Sequence, residues 1–270
     1  MIGKFTSWEE SIQWLRNQPD QQELVKAAFY DDPLPEAAKR YADSSEWVAV
    51  RTFLPTQKGS VLDVGAGRGI ASYALARDGW QVTALEPNSS DLVGAGAIRS
   101  LSKQTSLKID VVENWGESLP FADSSFEAVH CRAVLHHAHD LKKLCFEINR
   151  VLKPGGTMIA TREHVISNPN DRHEFLKTHP LHYLYGGENA YLLEEYIYAM
   201  KNAGMQINHV LNPLASDINL YPSTTKATKS RIAARLHIPA FLIPDIALQI
   251  YGAFSNVPGR LYSFVARKCL

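Results

Sequence analysis

The chain has 270 residues, 45% hydrophobic and 21% charged, the composition of an ordinary soluble globular protein with ample material for a core. Lysine plus arginine and aspartate plus glutamate total 28 each, so there is no overall basic field to attract nucleic acid. Three scattered cysteines, Cys131, Cys145 and Cys269, exclude a disulfide framework or a paired-thiol metal site, and the start "MIGKFTSWEESIQWL" lacks a signal-peptide core, which together predict a reduced, cytoplasmic protein.

Residues 1–58 are helical in pattern and read as an N-terminal helical cap, whose large side chains (Trp8, Trp14, Phe29, Tyr30, Tyr41, Trp47) are expected to pack helices against a core rather than touch a ligand. From Ser60 onward, short β-type runs alternate with helical patterns. The runs are "VLDV", "QVTALE", "LKIDVVE", "FEAVHC", "TMIATRE", "QINHVL" and "LYSFVARK". This alternation predicts a Rossmann-like, doubly wound α/β sheet of seven strands with helices on both faces.

Immediately after the first strand, Gly65-Ala66-Gly67-Arg68-Gly69 turns the chain into a helix starting near Ile70. Glycines there let the backbone approach a ligand lying outside the strand ends, beside the free N–H groups of a helix N-terminus. The dinucleotide fingerprint fails by one residue, because Ile70 occupies the place of its last glycine. Asp63, two residues before Gly65, would repel a pyrophosphate and welcome a cationic amino group. Glu86 ends the second strand about twenty residues after the loop, the spacing at which an acid accepts hydrogen bonds from both hydroxyls of a ribose. Asn88-Ser89-Ser90 matches a glycosylation acceptor, idle in a cytoplasmic protein.

Further on, "CRAVLHHAHDL" follows the fourth strand and places His136, His137 and His139 at the cleft edge. An imidazole there accepts a proton near neutral pH, with packing as the competing role. Metal binding is not expected of these three, since neighbouring histidines on a helix diverge. Leu141, Leu144, Cys145, Ile148, Val151 and Leu152 mark one helix face, ended by "KPGG" at 153–156. After the fifth strand Arg162, Glu163 and His164 are expected to face the cleft, as substrate contacts or as surface ion pairs. "THPLHYLYGGENAY" at 178–191 reads as a lid, an acceptor pocket or a tyrosine-rich turn. A helix carrying Leu192, Leu193, Tyr196, Ile197 and Met200 stops at Gly204.

Residues 212–260 separate the last two strands with five prolines and little alternation, which predicts an inserted helical substrate cap. Within them Lys226, Lys229, Arg231 and Arg235 read as a solvated helix face. "AFLIPDIALQIYGAF" is too short to span a bilayer and is broken by Pro244 and Asp245, so buried packing is expected, with lipid contact the minor reading. The domain plan is therefore 1–58, a core of 59–211 with 261–270, and the insertion 212–260.

Four blocks, "VLDVGAGRG", the strand ending "ALEP", "SLPFADSSFEAVHCRAVLHH" and "EINRVLKPGG", occur in an order that resembles the class I S-adenosylmethionine-dependent methyltransferases, in particular the small-molecule branch that includes ubiquinone-type enzymes. The resemblance covers roughly Ser60 to Glu163. It implies a seven-stranded, mostly parallel sheet whose last strand is antiparallel, S-adenosyl-L-methionine as cofactor, and methyl transfer to an oxygen, nitrogen or carbon of a small-molecule acceptor. Asp63 and the Gly65–Gly69 loop would hold the methionine part and Glu86 the ribose. The family's acid before "LPF" falls on Trp115, which leaves Asn114 or Glu113 for the adenine amino group, Trp115 to stack or to pack, and Gly116 to offer its N–H. The expected cofactor set is Asp63, Gly65, Ala66, Gly67, Gly69, Glu86, Pro87, Asn114, Trp115, Gly116 and Cys131, with His136 and His137 the candidate catalytic residues and no metal. A nicotinamide-dependent oxidoreductase on a related sheet and a catalytically silent cofactor-binding relative are the competing readings. The acceptor is expected to be a small molecule, with no nucleic acid and no stable membrane insertion; oligomeric state is not legible.

Overall fold

A computed structural model describes residue 5 and residues 7–270; the other residues of the N-terminal cap lie outside the described ones. Among the described residues there are eight strands: β1 (Ser60–Val64), β2 (Gln81–Leu85), β3 (Ile109–Val112), β4 (Phe126–Arg132), β5 (Leu152–Ile166), β6 (Tyr191–Leu192), β7 (Met205–Leu211) and β8 (Arg260–Lys268). They lie in the order β3-β2-β1-β4-β5-β8-β7, with β6 paired to the end of β5. The first five pair in parallel, and β8 runs antiparallel to both β5 and β7. All seven sequence-predicted strands are found; β6, two residues long, carries no periodicity and is the one addition.

The strands read as continuous apolar runs because both faces of the sheet are covered. Alternate side chains divide between two cores. Leu62, Val64, Val129 and Met158 meet the helices Leu141–Val151 and Leu193–Asn202 on one face. Val61, Ala128 and Ile159 meet the helices Leu34–Ala42, Ser45–Arg51 and Ile70–Arg77 on the other. The chain winds outward from β1 through β2 to β3, then returns to place β4 on the other side of β1. A crevice opens at such a switch, outside the carboxyl ends of β1 and β4.

Over that crevice lie the first helices. Trp8–Arg16 starts at a capping box in which Ser7 and Glu10 satisfy each other's backbone N–H. Its Ile12 and Leu15 pack with Val25, Val93 and Leu184, joining the N-terminal layer to the turn after β2 and to the segment after β5. The joined elements form a roof.

Residues 212–260 are helical, with helices Asp217–Leu220, Thr225–Leu236 and Asp245–Ala253. Asn219 fastens them by donating to the carbonyls of Leu211 and Asn212 and accepting from the Ser263 hydroxyl. Buried packing of "AFLIPDIALQIYGAF" is not what forms: helix Asp245–Ala253 buries only Leu248 and Gly252, leaving Phe241 82%, Tyr251 71% and Phe254 78% exposed. The prolines at 239 and 244 break the run into a turn and a short helix that touches the rest on one side only. Among the described residues no helix is long and apolar enough to cross a membrane.

Candidate active site

Strand β1 ends on a bend in which Gly65 and Gly67 both take left-handed φ, +62° and +55°. Their requirements differ. A Cβ on Gly65 would stand 2.7 Å from the Val134 side chain, whereas one on Gly67 meets nothing within 4 Å, because that residue faces open space. The space is a cavity of about 600 Å³, within the usual range for small-ligand sites.

At the tip of β2, Glu86 is 8% exposed. Its Oε2 accepts from the Gly67 N–H at 2.7 Å and its Oε1 from the Asn88 N–H at 2.9 Å. Burial pushes this carboxyl up to about 6, against the downward pull of those two N–H groups. Each oxygen accepts one N–H and keeps further acceptor capacity, on a side chain that lines the cavity. Asp63 also lines the cavity, but Oδ2 accepts from the Ser72 hydroxyl at 2.6 Å and Oδ1 faces His130 Nδ1 at 2.8 Å, across the register that pairs these two residues. It is a buried post under the glycine bend.

Ala66, Pro87, Asn114, Trp115 and Gly116 line the same end. Asn114 caps its own turn by accepting from the Trp115 N–H, and Glu113 is drawn outward to Arg99 at 2.6 Å. Trp115 is 59% exposed and lies edge-on to His139. Two expected residues are not on the lining. Cys131 is turned by strand alternation into the core with Leu62 and Val64, and Gly69 caps the helix Ile70–Arg77.

At the far end the chain gathers histidines and acids from three segments. β5 breaks register between Ala160 and Glu163, with Arg162 at φ +60°, and a bulge of this kind re-aims the side chains beside it. Glu163 accepts N–H from Val134, Leu135 and His136 and lies 2.6 Å from His136 Nδ1. An ionised carboxylate only accepts, so Nδ1 carries the proton and Nε2 turns to Glu188 Oε2 at 3.5 Å. At that length the contact is electrostatic, and Oε2 remains buried with no hydrogen-bond partner. His137 meets the Gly187 carbonyl through Nδ1, and His164 meets that of Gly259.

Burial would lower His136, but Glu163 and Glu188 outweigh it and lift the imidazole to about 9. Burial followed by the neighbouring His136 charge drops His164 to about 3. Glu188 would be raised by burial, yet the histidines around it hold it at about 2. The cavity wall between these two ends includes Trp8, Phe29, Tyr30, Tyr185 and the guanidinium groups of Arg132 and Arg162. Arg132 forms a two-pronged pair with Glu46 at 2.6 and 3.0 Å.

Both predicted histidines, His136 and His137, therefore line the cavity, as do Arg162 and His164, while Glu163 sits beneath them. His139 does not line it. Sequence reasoning missed Glu188, Arg132 and the roof aromatics; Glu188 lay inside a segment already marked for its Gly-Gly turn. No residue of 212–260 lines the cavity, so the roof comes from the N-terminal helices and the 179–188 segment instead of the insertion.

A mostly parallel sheet with its last strand antiparallel, a glycine bend after β1 and an acid at the tip of β2 are the features that the resemblance to class I S-adenosylmethionine-dependent methyltransferases implies. Residues 62–160 match the family described as "Methyltransferase domain". The ubiquinone biosynthesis O-methyltransferase of Xanthomonas campestris pv. campestris (strain B100) is 38% identical over 115 residues, 42% of this chain and 46% of that protein. An uncharacterized methyltransferase of Mycobacterium sp. (strain JLS) is 32% identical over 155 residues, 57% of each. The chain thus spans about half the length of the curated relatives it matches. A crystal structure of an S-adenosylmethionine-dependent methyltransferase from Mesorhizobium loti has a TM-score of 0.55 at 17% identity, covering 84% of this chain and 100% of that one, a likeness of fold. The cofactor of the class is S-adenosyl-L-methionine, and the site fits it. Glu86 offers two carboxylate oxygens with further acceptor capacity, held in place by backbone N–H groups, and Gly67 leaves the space before them clear.

Proposed function

We propose that this protein moves a methyl group from S-adenosylmethionine to an oxygen, nitrogen or carbon of a small molecule. The observation that carries the reading is the single cavity that runs from the Gly65–Glu86 end to the His136–Glu188 end. The cofactor supplies a methyl group already activated by its sulfonium charge. What remains for the protein is to align an acceptor and exclude water, and alignment of this kind contributes ~7–11 kcal/mol.

In this reading Glu86 takes the ribose hydroxyls, the Gly65–Gly67 bend with Ala66 and Pro87 takes the chain that links them, and Trp115, Asn114 and Gly116 flank the adenine. Asp63 holds the bend through Ser72. The acceptor sits under the roof, against Phe29, Tyr30 and Tyr185, with its reacting atom at His136 and His137. A cavity of about 600 Å³ with aromatic side chains and a set of convergent polar groups suits a small molecule better than a nucleic acid. The free cysteines, two of them buried, suit a reducing cytoplasm. The nicotinamide reading gains nothing from the family match, which falls on a methyltransferase domain.

The test is incubation with cofactor labelled in its methyl group and a pool of small metabolites. Label in a small molecule together with S-adenosylhomocysteine release supports the reading, and Glu86→Ala should suppress both. Cofactor binding without any release across a broad pool would favour the silent relative.

A further inference from the structure

We propose that His136, His164 and Glu188 form a binding site for one divalent transition-metal ion of the zinc type, open to the acceptor end of the cavity. One ligand atom from each residue lies within 4.8 Å of the other two, and all three residues line the cavity.

Three observations separate this cluster from ordinary polar packing. The first is the use of the imidazole nitrogens. His136 Nδ1 is committed to Glu163 at 2.6 Å and His164 Nδ1 to the Gly259 carbonyl at 2.8 Å, so neither ring spends Nε2 on these partners, and His136 Nε2 faces Glu188 instead. Histidines that ligate metals are oriented by this pattern, the other ring N–H given to a carboxylate or a backbone carbonyl. Packing alone requires neither arrangement, still less both on neighbouring rings.

The second is Glu188 Oε2, which is buried and has no hydrogen-bond partner, only ion-pair contacts to His136 Nε2 at 3.5 Å and His137 Nε2 at 3.8 Å. Contacts of that length leave the oxygen without a close donor, and a metal cation placed between it and the two rings would bind it at coordination distance. The third is chain origin. The ligands come from the turn after β4, from β5 and from the 186–188 loop, so the convergence is a property of the tertiary fold.

Two imidazoles and one carboxylate suit zinc and its neighbours; calcium and magnesium prefer all-oxygen sets. Ligand atoms around a tetrahedral zinc stand about 3.3 Å apart. The His136–Glu188 pair is already near that spacing, and side-chain rotation has to draw the set together from 4.8 Å. Three protein ligands leave a position vacant toward the cavity, the pattern of reactive rather than purely structural zinc. An acceptor bearing a hydroxyl or carboxylate oxygen would occupy it. That role rests on the methyl-transfer reading, whereas the site rests on its residues alone.

The experiment uses the full chain, stripped with a chelator and dialysed. Zinc is titrated by calorimetry and cobalt by its visible absorption, and S-adenosylhomocysteine binding is measured separately on the metal-free protein. The expected result is one ion per chain, with affinity lowered roughly 100-fold in both His164→Ala and Glu188→Gln. S-adenosylhomocysteine binding should stay within about twofold of wild type, showing that the variants fold. The wild-type stoichiometry decides even if a variant fails to fold: no bound ion overturns the proposal, as does equal affinity in folded variants. Metal binding without S-adenosylhomocysteine binding leaves the site standing and removes the methyl-transfer reading; the reverse result does the opposite.

Discussion

Glu163 lies 2.6 Å from His136 Nδ1 while its two oxygens also accept the N–H groups of Val134, Leu135 and His136, so one buried carboxylate both shapes the turn after β4 and aims the imidazole. Glu163→Gln keeps the volume but turns one acceptor into a donor facing donors. Breaking a buried, fully engaged carboxylate of this kind costs on the order of 3–5 kcal/mol, a fall of roughly 10 °C in Tm. Turnover should fall while cofactor affinity holds, because the Glu86 end is untouched. A thermal melt within a degree or two of wild type would show that the turn does not depend on Glu163.

Glu86 should make ligand binding at the Gly65–Glu86 end of the cavity sensitive to pH. Burial raises this carboxyl from 4.5 to about 6, so the folded state holds the proton more tightly than the unfolded chain. Ionising it therefore costs the apo fold about 2 kcal/mol above pH 6, and the cost vanishes below 4.5. Stability at this group falls as pH rises through that window, while cofactor affinity moves the other way, since only the ionised form accepts from two hydroxyls. Calorimetry with S-adenosylhomocysteine should show binding about tenfold weaker at about pH 5 than at about pH 7. Glu86→Gln should bind weakly at both. A flat wild-type profile would remove Glu86 from the ribose.

The helix Ser45–Arg51 is held to the sheet by charge as well as by packing. Glu46, fully buried on helix Ser45–Arg51, receives Arg132 from the end of β4 and draws Arg162 to 3.8 Å. Glu46→Ala leaves two guanidinium groups without their partner and should destabilise the fold by about 3–5 kcal/mol. Glu46→Leu with Arg132→Met should recover much of that loss, because removing both partners avoids the unpaired charge. Equal melting temperatures for the single and double variants would count against the pair as the anchor.

The sheet and the Gly65–Glu86 end of the cavity were legible in sequence because they are local. A parallel strand is a run of apolar residues, a bend into a helix is written in glycines, and Glu86 follows at a spacing set by one helix and one strand. The His136–Glu188 end was not, because His136, His164 and Glu188 are far apart in sequence and meet only through a bulge in β5 and a loop that folds back. Trp8, Phe29 and Tyr30 read as core residues, and Phe29 is one: it is buried between Tyr41 and Tyr221 yet also borders the cavity. Periodicity separates inside from outside, not core from cavity wall. The exposed apolar stretch at 241–254 failed for the same reason, since composition does not say whether a neighbour covers it.

Two glycines in the same bend give a paired test of where the cofactor lies. Gly65→Ala suffers both a left-handed φ and a Cβ pressed to 2.7 Å from the Val134 side chain, whereas Gly67→Ala suffers the φ alone. The backbone term is about 1–2 kcal/mol in each. Gly65→Ala should therefore lose more stability, and Val134→Ala should restore part of it by removing the contact. At Gly67 the new methyl group enters the space before Glu86, so S-adenosylhomocysteine affinity should fall at least tenfold for a small change in melting temperature. Gly67→Ala that binds as wild type does would mean that the bend lies away from the cofactor, and the site would have to be sought elsewhere in the cavity.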